Sequence, residues 1–338
     1  MAELDITRVG RWMAANVPGY SGPLSATKFD VGQSNPTYRL NAGSGSYVLR
    51  RKPPGTLLKS AHAVDREFRV QKALFATDVP VPKVIALCED EDVIGSMFYV
   101  MTHVTGRNID DPSMPDLVPG ERGDLIAEMA RVLAAIHDVD IDAVGLSDFG
   151  PPGNYYERQL GRWTKQYRAS ETEPLPDMDR LIDRLGAEMP DDDGQRTLVH
   201  GDYRIDNMLF DTERPTCTAV LDWELSTLGH PLADLAGVIM QWQMPPGAEG
   251  RGLAGLDRAA LGLPSDEEFV AMYCAHRGIA PPARFGYYVA FAFFRMAAIL
   301  QGVKKRALDG NASNPEAGLR LGAYVPRFAA LGLDWLER

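Results

Sequence analysis

The apolar positions of the chain follow two different periods. Before about residue 103, short apolar runs alternate with polar turns, as in "SATKFDVGQSNPTYRL" and "GSGSYVLRRK", and this pattern predicts strands joined by turns. Two more strands are predicted over residues 84–88 and 97–102. Helical spacing predicts an amphipathic helix over residues 5–17 and an inserted helix in "HAVDREFRVQKALFA". The first hundred residues are therefore predicted to form a mostly antiparallel sheet with one helix inserted into it.

Beyond residue 103 the hydrophobic period becomes that of helices. The stretch "HVTGRNIDDPSMP" is rich in turn formers and predicts a boundary between two domains, residues 1–103 and residues 104–338. The sequence thus predicts an α+β fold with a small β-rich lobe, a larger α-helical lobe and a cleft between them. The helices predicted in the second part are 117–137, 154–169, 178–189, 232–243, 266–277, 287–303 and 315–331.

Composition narrows the classes of partner and compartment. The 338 residues carry a formal net charge of −11, which leaves no basic surplus for binding nucleic acid. The apolar run "YYVAFAFFRMAAILQGV" is interrupted by Arg295, so it predicts a buried core helix rather than a membrane span. The N-terminus has no apolar signal core, and three scattered cysteines favour a reducing compartment. We expect a cytoplasmic protein without nucleic-acid or membrane partners; the sequence does not indicate its oligomeric state.

Chemistry concentrates in "LVHGDYRIDNMLFD", residues 198–211. His200, Asp202 and Asn207 form the pattern HxDxxxxN, and Asp222 follows an apolar run fifteen residues after Asn207. Phosphoryl transfer to a hydroxyl needs a carboxylate to accept the hydroxyl proton and hard oxygen ligands to hold Mg²⁺ on the phosphates. Asp202 is the predicted base, and Asn207 and Asp222 are the predicted metal ligands.

These motifs resemble those of a known family. HGDYRIDN followed by LDW is similar to the aminoglycoside phosphotransferase and choline kinase superfamily, which has a protein-kinase-like fold. Within it, "YVLRRKPPG", "DREFRVQKAL" and "DWELSTLGHPLADLA" resemble the phosphotransferase domain related to acyl-CoA dehydrogenase family members. The resemblance runs over residues 29–294 and implies a bilobal kinase that uses ATP and Mg²⁺ to phosphorylate a hydroxyl of a small molecule.

The resemblance also assigns residues. It implies that Asp202 is catalytic, that Arg204 stabilises the transferred phosphoryl group, and that Asn207 and Asp222 bind the metal. It places a phosphate-gripping cation at Arg50, although Lys52 is an alternative. The implied nucleotide-binding residues are Gly32, Gln33, Ser34, Asn35, Arg50, Glu67, Met101 and His103, the last two in the segment that joins the lobes.

Each assignment has a simpler structural alternative. Arg204 could pair only with Asp206 or Glu224, and Arg50 with Glu67 could be a plain ion pair. By their spacing, Arg158, Arg162 and Lys165 lie on one helical face, which we call the basic face. This face suits either the binding of an anionic acceptor or plain solvent exposure.

Three classes of function follow from the same motifs. A small-molecule kinase fits best, with a hydroxyacyl thioester or related metabolite as one acceptor and an aminoglycoside or other antibiotic as the alternative. A protein kinase needs a long activation segment, whereas only eleven residues separate Asp222 from Asp234. A non-catalytic nucleotide-binding module would have lost at least one of the base and the metal ligands, and this chain has all three.

Overall fold

The computed structural model describes residues 4–29, 35–53, 63–247, 249–312 and 314–338. The chain divides into two compact units, each assembled from three segments. The first unit comprises Met1–Asp110, Val139–Ser147 and Arg204–Ser226. The second comprises Asp111–Asp138, Asp148–Tyr203 and Thr227–Arg338.

The helices and strands are numbered in chain order. The helices are α1 Ile6–Asn16, α2 Val64–Leu74, α3 Pro119–His137, α4 Tyr155–Ser170, α5 Pro176–Ala187, α6 Leu232–Trp242, α7 Arg258–Leu261, α8 Asp266–Arg277, α9 Phe285–Leu308, α10 Pro315–Gly322 and α11 Val325–Leu336. The strands are β1 Ser25–Lys28, β2 Thr37–Ala42, β3 Gly45–Arg51, β4 Val84–Cys88, β5 Phe98–Thr102, β6 Arg107–Asn108, β7 Thr197–Val199, β8 Met208–Phe210, β9 Cys217–Val220 and β10 Thr227–Gly229. Two short 3₁₀ helices cover Ile205–Asn207 and Trp223–Leu225.

The first unit contains the predicted antiparallel sheet. Its five strands lie in the order β1-β2-β3-β5-β4, and the register places Arg50 of β3 opposite Tyr99 of β5. Helix α1 begins after Asp5, whose side chain accepts from the Arg8 amide, as the sequence predicts for an N-cap. A second sheet, in the order β6-β8-β9, carries the short helix Ile205–Asn207 at the start of β8. The first unit therefore holds β8, which starts directly after Asn207, and β9, which ends directly before the LDW motif.

The second unit is mainly helical and is built around α9. Helix α9 packs against α4, α6, α10 and α11, and most of its first two-thirds is buried. By length and composition α9 could cross a membrane, but 72% of its most apolar stretch is buried inside the protein, which fits the predicted core helix. The two-stranded sheet of β7 and β10 leads into the segment of His200 and Asp202.

One predicted helix is wrong in its extent. The sequence predicts a single helix over 315–331, whereas the structure has α10 and α11 separated at Ala323 and Tyr324. Pro326 explains the break, because proline lacks the amide hydrogen that a continuous helix needs and its ring would clash with the carbonyl four residues earlier. At Gly322 an added Cβ would lie 2.5 Å from the Cβ of Lys304, so the absence of a side chain there allows α10 to lie directly on α9.

Candidate functional site

In the first unit, Arg50 is the centre of a cluster of carboxylates. Its Nη2 donates to Oε1 of Glu67 at 2.9 Å, and its Nε lies 2.7 Å from Oε2 of the same residue. Nη2 also forms a close ion pair with Asp222 and lies 3.6 Å from Oε2 of Glu224. The guanidinium is thus paired with three carboxylates at once, more than the plain ion pair with Glu67 that the sequence offered as the alternative.

Burial and charge both shift the proton affinities in this cluster. Burial opposes the charged form of Arg50, but Glu67 and Asp222 outweigh it and raise the pKa of Arg50 above its ordinary value. Glu67 is almost fully buried at 1% exposure, and burial raises its pKa to about 6 although Arg50 acts in the opposite direction. Its Oε2 accepts a hydrogen bond from the Tyr99 hydroxyl at 3.0 Å, which ties this carboxylate of α2 to strand β5.

Glu224 is a member of this cluster that sequence reasoning missed. The sequence suggests it only as a partner of Arg204, yet it faces Arg50 and accepts a hydrogen bond from the side-chain Nδ2 of Asn35 at 3.0 Å. Asn35 itself is buried, with 1% exposure. The available signal was the position of Glu224 two residues after Asp222 in "LDWEL", although spacing alone does not tell which cation it meets.

The backbone explains how Asp222 reaches this cluster. Asp222 has a φ of 64°, in the left-handed region, where non-glycine residues are uncommon and concentrate at functional sites. This turn ends β9 and starts the 3₁₀ helix Trp223–Leu225. One residue earlier, the Leu221 amide donates to the carbonyl of Asn207 at 2.8 Å, so the two predicted metal ligands are tied together through the backbone.

The donor set near Asp222 suits a hard divalent cation. Among the described residues, Glu67, Asp222 and Glu224 each offer a carboxylate oxygen within 4.8 Å of the others. Mg²⁺ prefers such oxygens and takes one or two from protein when phosphates supply others. The predicted ligands Asn207 and Asp222 therefore fit Mg²⁺ by the chemistry of their oxygens, and Glu224 is a further oxygen donor close by.

Other predicted nucleotide-site residues occupy different environments. Lys52 lies apart from the carboxylate cluster, with Nζ 3.9 Å from Asp65, so Arg50 is the cation that meets Glu67 and Asp222. Met101 is buried in β5, and the amide of His103 donates to the carbonyl of Ser46 at 3.3 Å. The predicted residues Gly32, Gln33 and Ser34 lie outside the described residues.

Arg204 is paired with its neighbour along the chain. Its Nη2 donates to Oδ2 of Asp206 at 2.7 Å, the first of the two partners that the sequence suggested as the structural alternative. The Arg204 side chain is 29% exposed and that of Asp206 is 9% exposed. That Arg204 stabilises the transferred phosphoryl group remains a prediction. For this role the guanidinium would have to leave Asp206 or donate to Asp206 and to the phosphoryl oxygens together.

In the second unit, a buried carboxylate holds the segment that carries Asp202. Asp234, near the start of α6, accepts from the His200 amide at 2.6 Å and from the Gly201 amide at 2.8 Å, one through each oxygen. The Asp202 amide donates to Nδ1 of His200 at 3.2 Å, so that ring nitrogen is an acceptor and the neutral imidazole carries its proton on Nε2. The backbone on the N-terminal side of Asp202 is thus fixed by three consecutive amides.

His137 extends this network to the end of α3. Its Nε2 lies 3.3 Å from Oδ2 of Asp234, and its Nδ1 lies 2.7 Å from the Tyr273 hydroxyl. The ring is buried, and burial lowers the pKa of His137 although Asp234 raises it. Asp234, in turn, has its pKa lowered: burial raises it, but the hydrogen bonds from its partners prevail.

The basic face of α4 divides into two environments. Arg162 and Lys165 are exposed, with Trp163 and Tyr167 buried on the same helix. Arg158 instead donates to the carbonyl of Pro152 at 2.8 Å and lines a cavity of about 240 Å³ at the start of α4. Arg162 stacks over the Trp163 ring at 5.2 Å, which leaves its charge available on the surface.

Comparison with known sequences identifies a family. The profile of the phosphotransferase enzyme family, abbreviated APH, matches residues 25–284. Acyl-CoA dehydrogenase family member 10 of Mus musculus is 49% identical over 319 residues, a match that covers 94% of this chain. The chain spans only 30% of the length of that relative.

Comparison with solved structures agrees with the fold predicted from the sequence. A candidate aminoglycoside phosphotransferase from Ralstonia eutropha JMP134 is 46% identical, with 99% of each chain covered and a TM-score of 0.91. A thermostable variant of aminoglycoside phosphotransferase APH(4)-Ia, in a complex with AMP-PNP and hygromycin B, is 17% identical. The superposition covers 97% of this chain and 98% of the APH(4)-Ia chain, with a TM-score of 0.64. The predicted α+β, protein-kinase-like fold is confirmed.

Proposed function

Because the chain belongs to the phosphotransferase enzyme family, we propose that it is a Mg·ATP-dependent kinase that transfers the γ-phosphoryl group to a hydroxyl of a small molecule. Two arrangements support this proposal: in the second unit Asp234 holds the two amides that precede Asp202, and in the first unit the Leu221 amide ties Asn207 to the residue before Asp222. The AMP-PNP complex of the related APH(4)-Ia supports a nucleotide as the phosphoryl donor.

The residues divide the work as follows. Asp202 accepts the proton of the acceptor hydroxyl. At the same time the hydroxyl oxygen forms a bond to the γ-phosphorus, and the bond from that phosphorus to the leaving ADP oxygen breaks. Arg50 and Arg204 supply positive charge for the phosphate oxygens. Asn207 and Asp222 hold Mg²⁺, which neutralises charge on the phosphates when it is bound. Gly32, Gln33, Ser34 and Asn35, with Met101 and His103, are the remaining residues proposed for the nucleotide site.

The carboxylate cluster suggests an order of events for Arg50. In the structure its guanidinium is paired with Asp222. If Asp222 binds Mg²⁺ and Arg50 binds phosphate, these two side chains cannot keep each other as their main partners. Nucleotide binding therefore exchanges part of the Arg50–Asp222 pair for contacts to phosphate, while the buried Glu67 keeps Arg50 anchored in the sheet.

The proposal extends to the acceptor and to the organisation of the chain. We propose residues 1–103 as the nucleotide-binding lobe, residues 104–338 as the lobe with the acceptor site, and a cytoplasmic location. The likeness to an acyl-CoA dehydrogenase family member and the exposed Arg162 and Lys165 favour an acidic acceptor such as a hydroxyacyl thioester. An aminoglycoside acceptor, as the hygromycin B complex of APH(4)-Ia would suggest, calls for a more acidic pocket.

Two isosteric substitutions test the proposed roles. Asp202→Asn should lower kcat by about 10²–10⁴ on the best compound of a panel of hydroxylated metabolites, because the base is lost. It should leave the Kd for Mg·AMP-PNP unchanged in calorimetric titrations. Asp222→Asn removes charge from the metal shell, so it should weaken Mg·AMP-PNP binding as well as turnover. The exposed Asp334→Asn is the matched control and should change neither quantity.

The comparison has two outcomes that contradict the proposal. Equal losses of nucleotide affinity in Asp202→Asn and Asp222→Asn would refute the division between base and metal ligand. Efficient phosphorylation of proteins, with no turnover on the metabolite panel, would refute the small-molecule acceptor.

A further inference from the structure

Arg295 is a charged residue inside an otherwise apolar helix, and its guanidinium reaches the segment that carries Asp202. Between Phe285 and Val303, the rest of the α9 sequence contains no charged residue. The adjacent Phe294 and the nearby Phe291 and Ala298 are buried in the core. Yet Arg295 Nη2 donates to the carbonyl oxygen of Gly201 at 3.0 Å. A charge placed at such a position costs desolvation, so the contact that it makes is the feature to explain.

The Gly201 carbonyl belongs to the peptide group that leads directly into Asp202. The carbonyl end of this peptide is held by Arg295, and its amide end is held by Nδ1 of His200. Fixing both ends of a peptide plane fixes its rotation about the flanking bonds, and therefore the position and direction of the N–Cα bond from which Asp202 is built. Gly201 has a φ of 84°, a conformation that glycine reaches at little cost, so without these contacts the plane could turn easily.

Asp234 secures the other side of the same glycine. It accepts from the His200 and Gly201 amides, but a carboxylate has no hydrogen to donate to the Gly201 carbonyl, which belongs to the peptide plane before Asp202. The brace from α6 and the contact from α9 are thus complementary: one fixes the nitrogen side of Gly201 and the other fixes its carbonyl.

The guanidinium of Arg295 is itself oriented by an aromatic ring of α4. Its Cζ lies 5.8 Å from the centre of the Trp163 ring, and the indole Nε1 is fixed by a hydrogen bond to Gln159 at 3.0 Å. A planar, weakly hydrated guanidinium stacks on such a ring and donates from its edge, whereas an ammonium group lacks this geometry. The site is therefore specific for arginine rather than for any cation.

We infer that Arg295 is a positioning residue that sets the orientation of the proposed catalytic base Asp202 through the Gly201 carbonyl. The inference rests on the proposed function for its effect on turnover, but not for its effect on the backbone. Arg295 touches neither reacting group; it acts through one peptide plane. This positioning role explains why a charged residue interrupts the apolar helix α9.

The test compares Arg295→Met and Arg295→Lys with the wild type and with a matched control. Arg306→Met makes the same change at an exposed position of α9. The first readout is hydrogen–deuterium exchange by mass spectrometry on peptides that cover residues 198–204. Arg295→Met should exchange faster there by about tenfold or more because the loop opens more often, and exchange in α6 and α8 should stay unchanged. Arg306→Met should match the wild type in both regions.

The second readout is turnover on the acceptor that the panel identifies. Arg295→Met should lower kcat by about 10- to 100-fold, the scale of a small misplacement of a reacting group, with the Kd for Mg·AMP-PNP within about twofold of the wild type. Arg295→Lys keeps a donor without the stacked fork, so its kcat should lie between those of the wild type and Arg295→Met. A purely structural role would not produce this separation of kcat from nucleotide affinity.

The outcomes separate the two ideas. Wild-type exchange and wild-type kcat in Arg295→Met would overturn the inference, as would faster exchange spread evenly over the whole second unit in both Arg295 variants. If the wild type transfers phosphate to no compound, the proposed function fails, and faster exchange confined to residues 198–204 would still support the positioning role. If turnover is present and unaltered in both variants, the positioning role fails and the proposed function stands.

Discussion

Replacing His137 with leucine should destabilise the second unit by an amount that the structure allows us to work out. Leucine fills a similar volume but provides neither ring nitrogen. Asp234 then loses its 3.3 Å contact with Nε2, a hydrogen bond to a charged group worth about 1.5–3 kcal/mol. The Tyr273 hydroxyl loses its 2.7 Å contact with Nδ1, worth about 1 kcal/mol, although Arg277 still donates to it at 3.0 Å. The expected loss in the free energy of unfolding is about 2.5–4 kcal/mol, a large part of the usual 5–15 kcal/mol.

The pH dependence gives this prediction a second, independent signature. Burial lowers the pKa of His137 in the folded state below its ordinary value of 6.5. As the pH falls below about 6.5, the unfolded state therefore takes up a proton that the folded state still resists, and the free energy of unfolding decreases. The slope from one such group is at most about 1.4 kcal/mol per pH unit. His230, whose pKa is also lowered by burial, adds a slope of the same sign, so the variant should reduce the total slope rather than remove it.

The assay is urea unfolding followed by circular dichroism between pH 5 and 8. His276→Leu is the matched control, because His276 is an exposed histidine of the neighbouring helix α8, and surface changes usually stay within about 0.5 kcal/mol. The difference between wild type and variant separates the His137–Asp234 pair from the other titrating groups, including Glu67, whose raised pKa gives a slope of opposite sign. A variant as stable as His276→Leu, with the wild-type slope below pH 6.5, would refute the reasoning.

Two further predictions concern binding at the proposed sites. Arg50→Met should weaken Mg·AMP-PNP binding by about tenfold or more in calorimetric titrations, whereas Lys52→Met should change it by less than about twofold, because only Arg50 meets Glu67 and Asp222; equal effects would reopen the choice between the two cations. Arg162→Ala should raise the acceptor KM with little change in nucleotide affinity, since its charge is exposed on α4, and an unchanged KM would leave the basic face as a solvated surface.

The sequence predicted those parts of the fold that depend on local pattern. Helix α8 has the predicted bounds of 266–277, and it begins with a capping box at Ser265 and ends before Gly278 in a left-handed conformation. Strand β4 also has its predicted bounds. Short elements were less accessible: the four-residue helix α7 was not predicted, because so short a segment carries too few periodic positions to be recognised.

The candidate site was predictable where residue type and order carry the chemistry. Asp202, Asn207 and Asp222 follow from a linear motif, so they could be proposed without coordinates. Glu224 could not be assigned, because its meeting with Arg50 depends on the turn at Asp222 and on a residue 174 positions earlier in the chain. Arg295 gave a signal of the opposite kind: it was visible as a charge in an apolar helix, but its partner is a backbone carbonyl, which no sequence pattern reveals.

Asp234 and Arg295 of the second unit are best explained by the loop that they hold. Well-packed apolar residues often replace buried charges without loss of stability, so the buried Asp234 is a weak candidate for a purely stabilising role. Both direct their charge at backbone groups of one glycine, and His137 supports the first of them from α3. Two helices, α6 and α9, thus contribute one polar side chain each to the backbone that precedes Asp202, and α3 supports the first of these side chains through His137. A general base works only when it is held precisely at the hydroxyl that it deprotonates. A kinase therefore gains from this arrangement despite the cost of desolvating the polar groups, whereas a module that only binds nucleotide would gain nothing comparable.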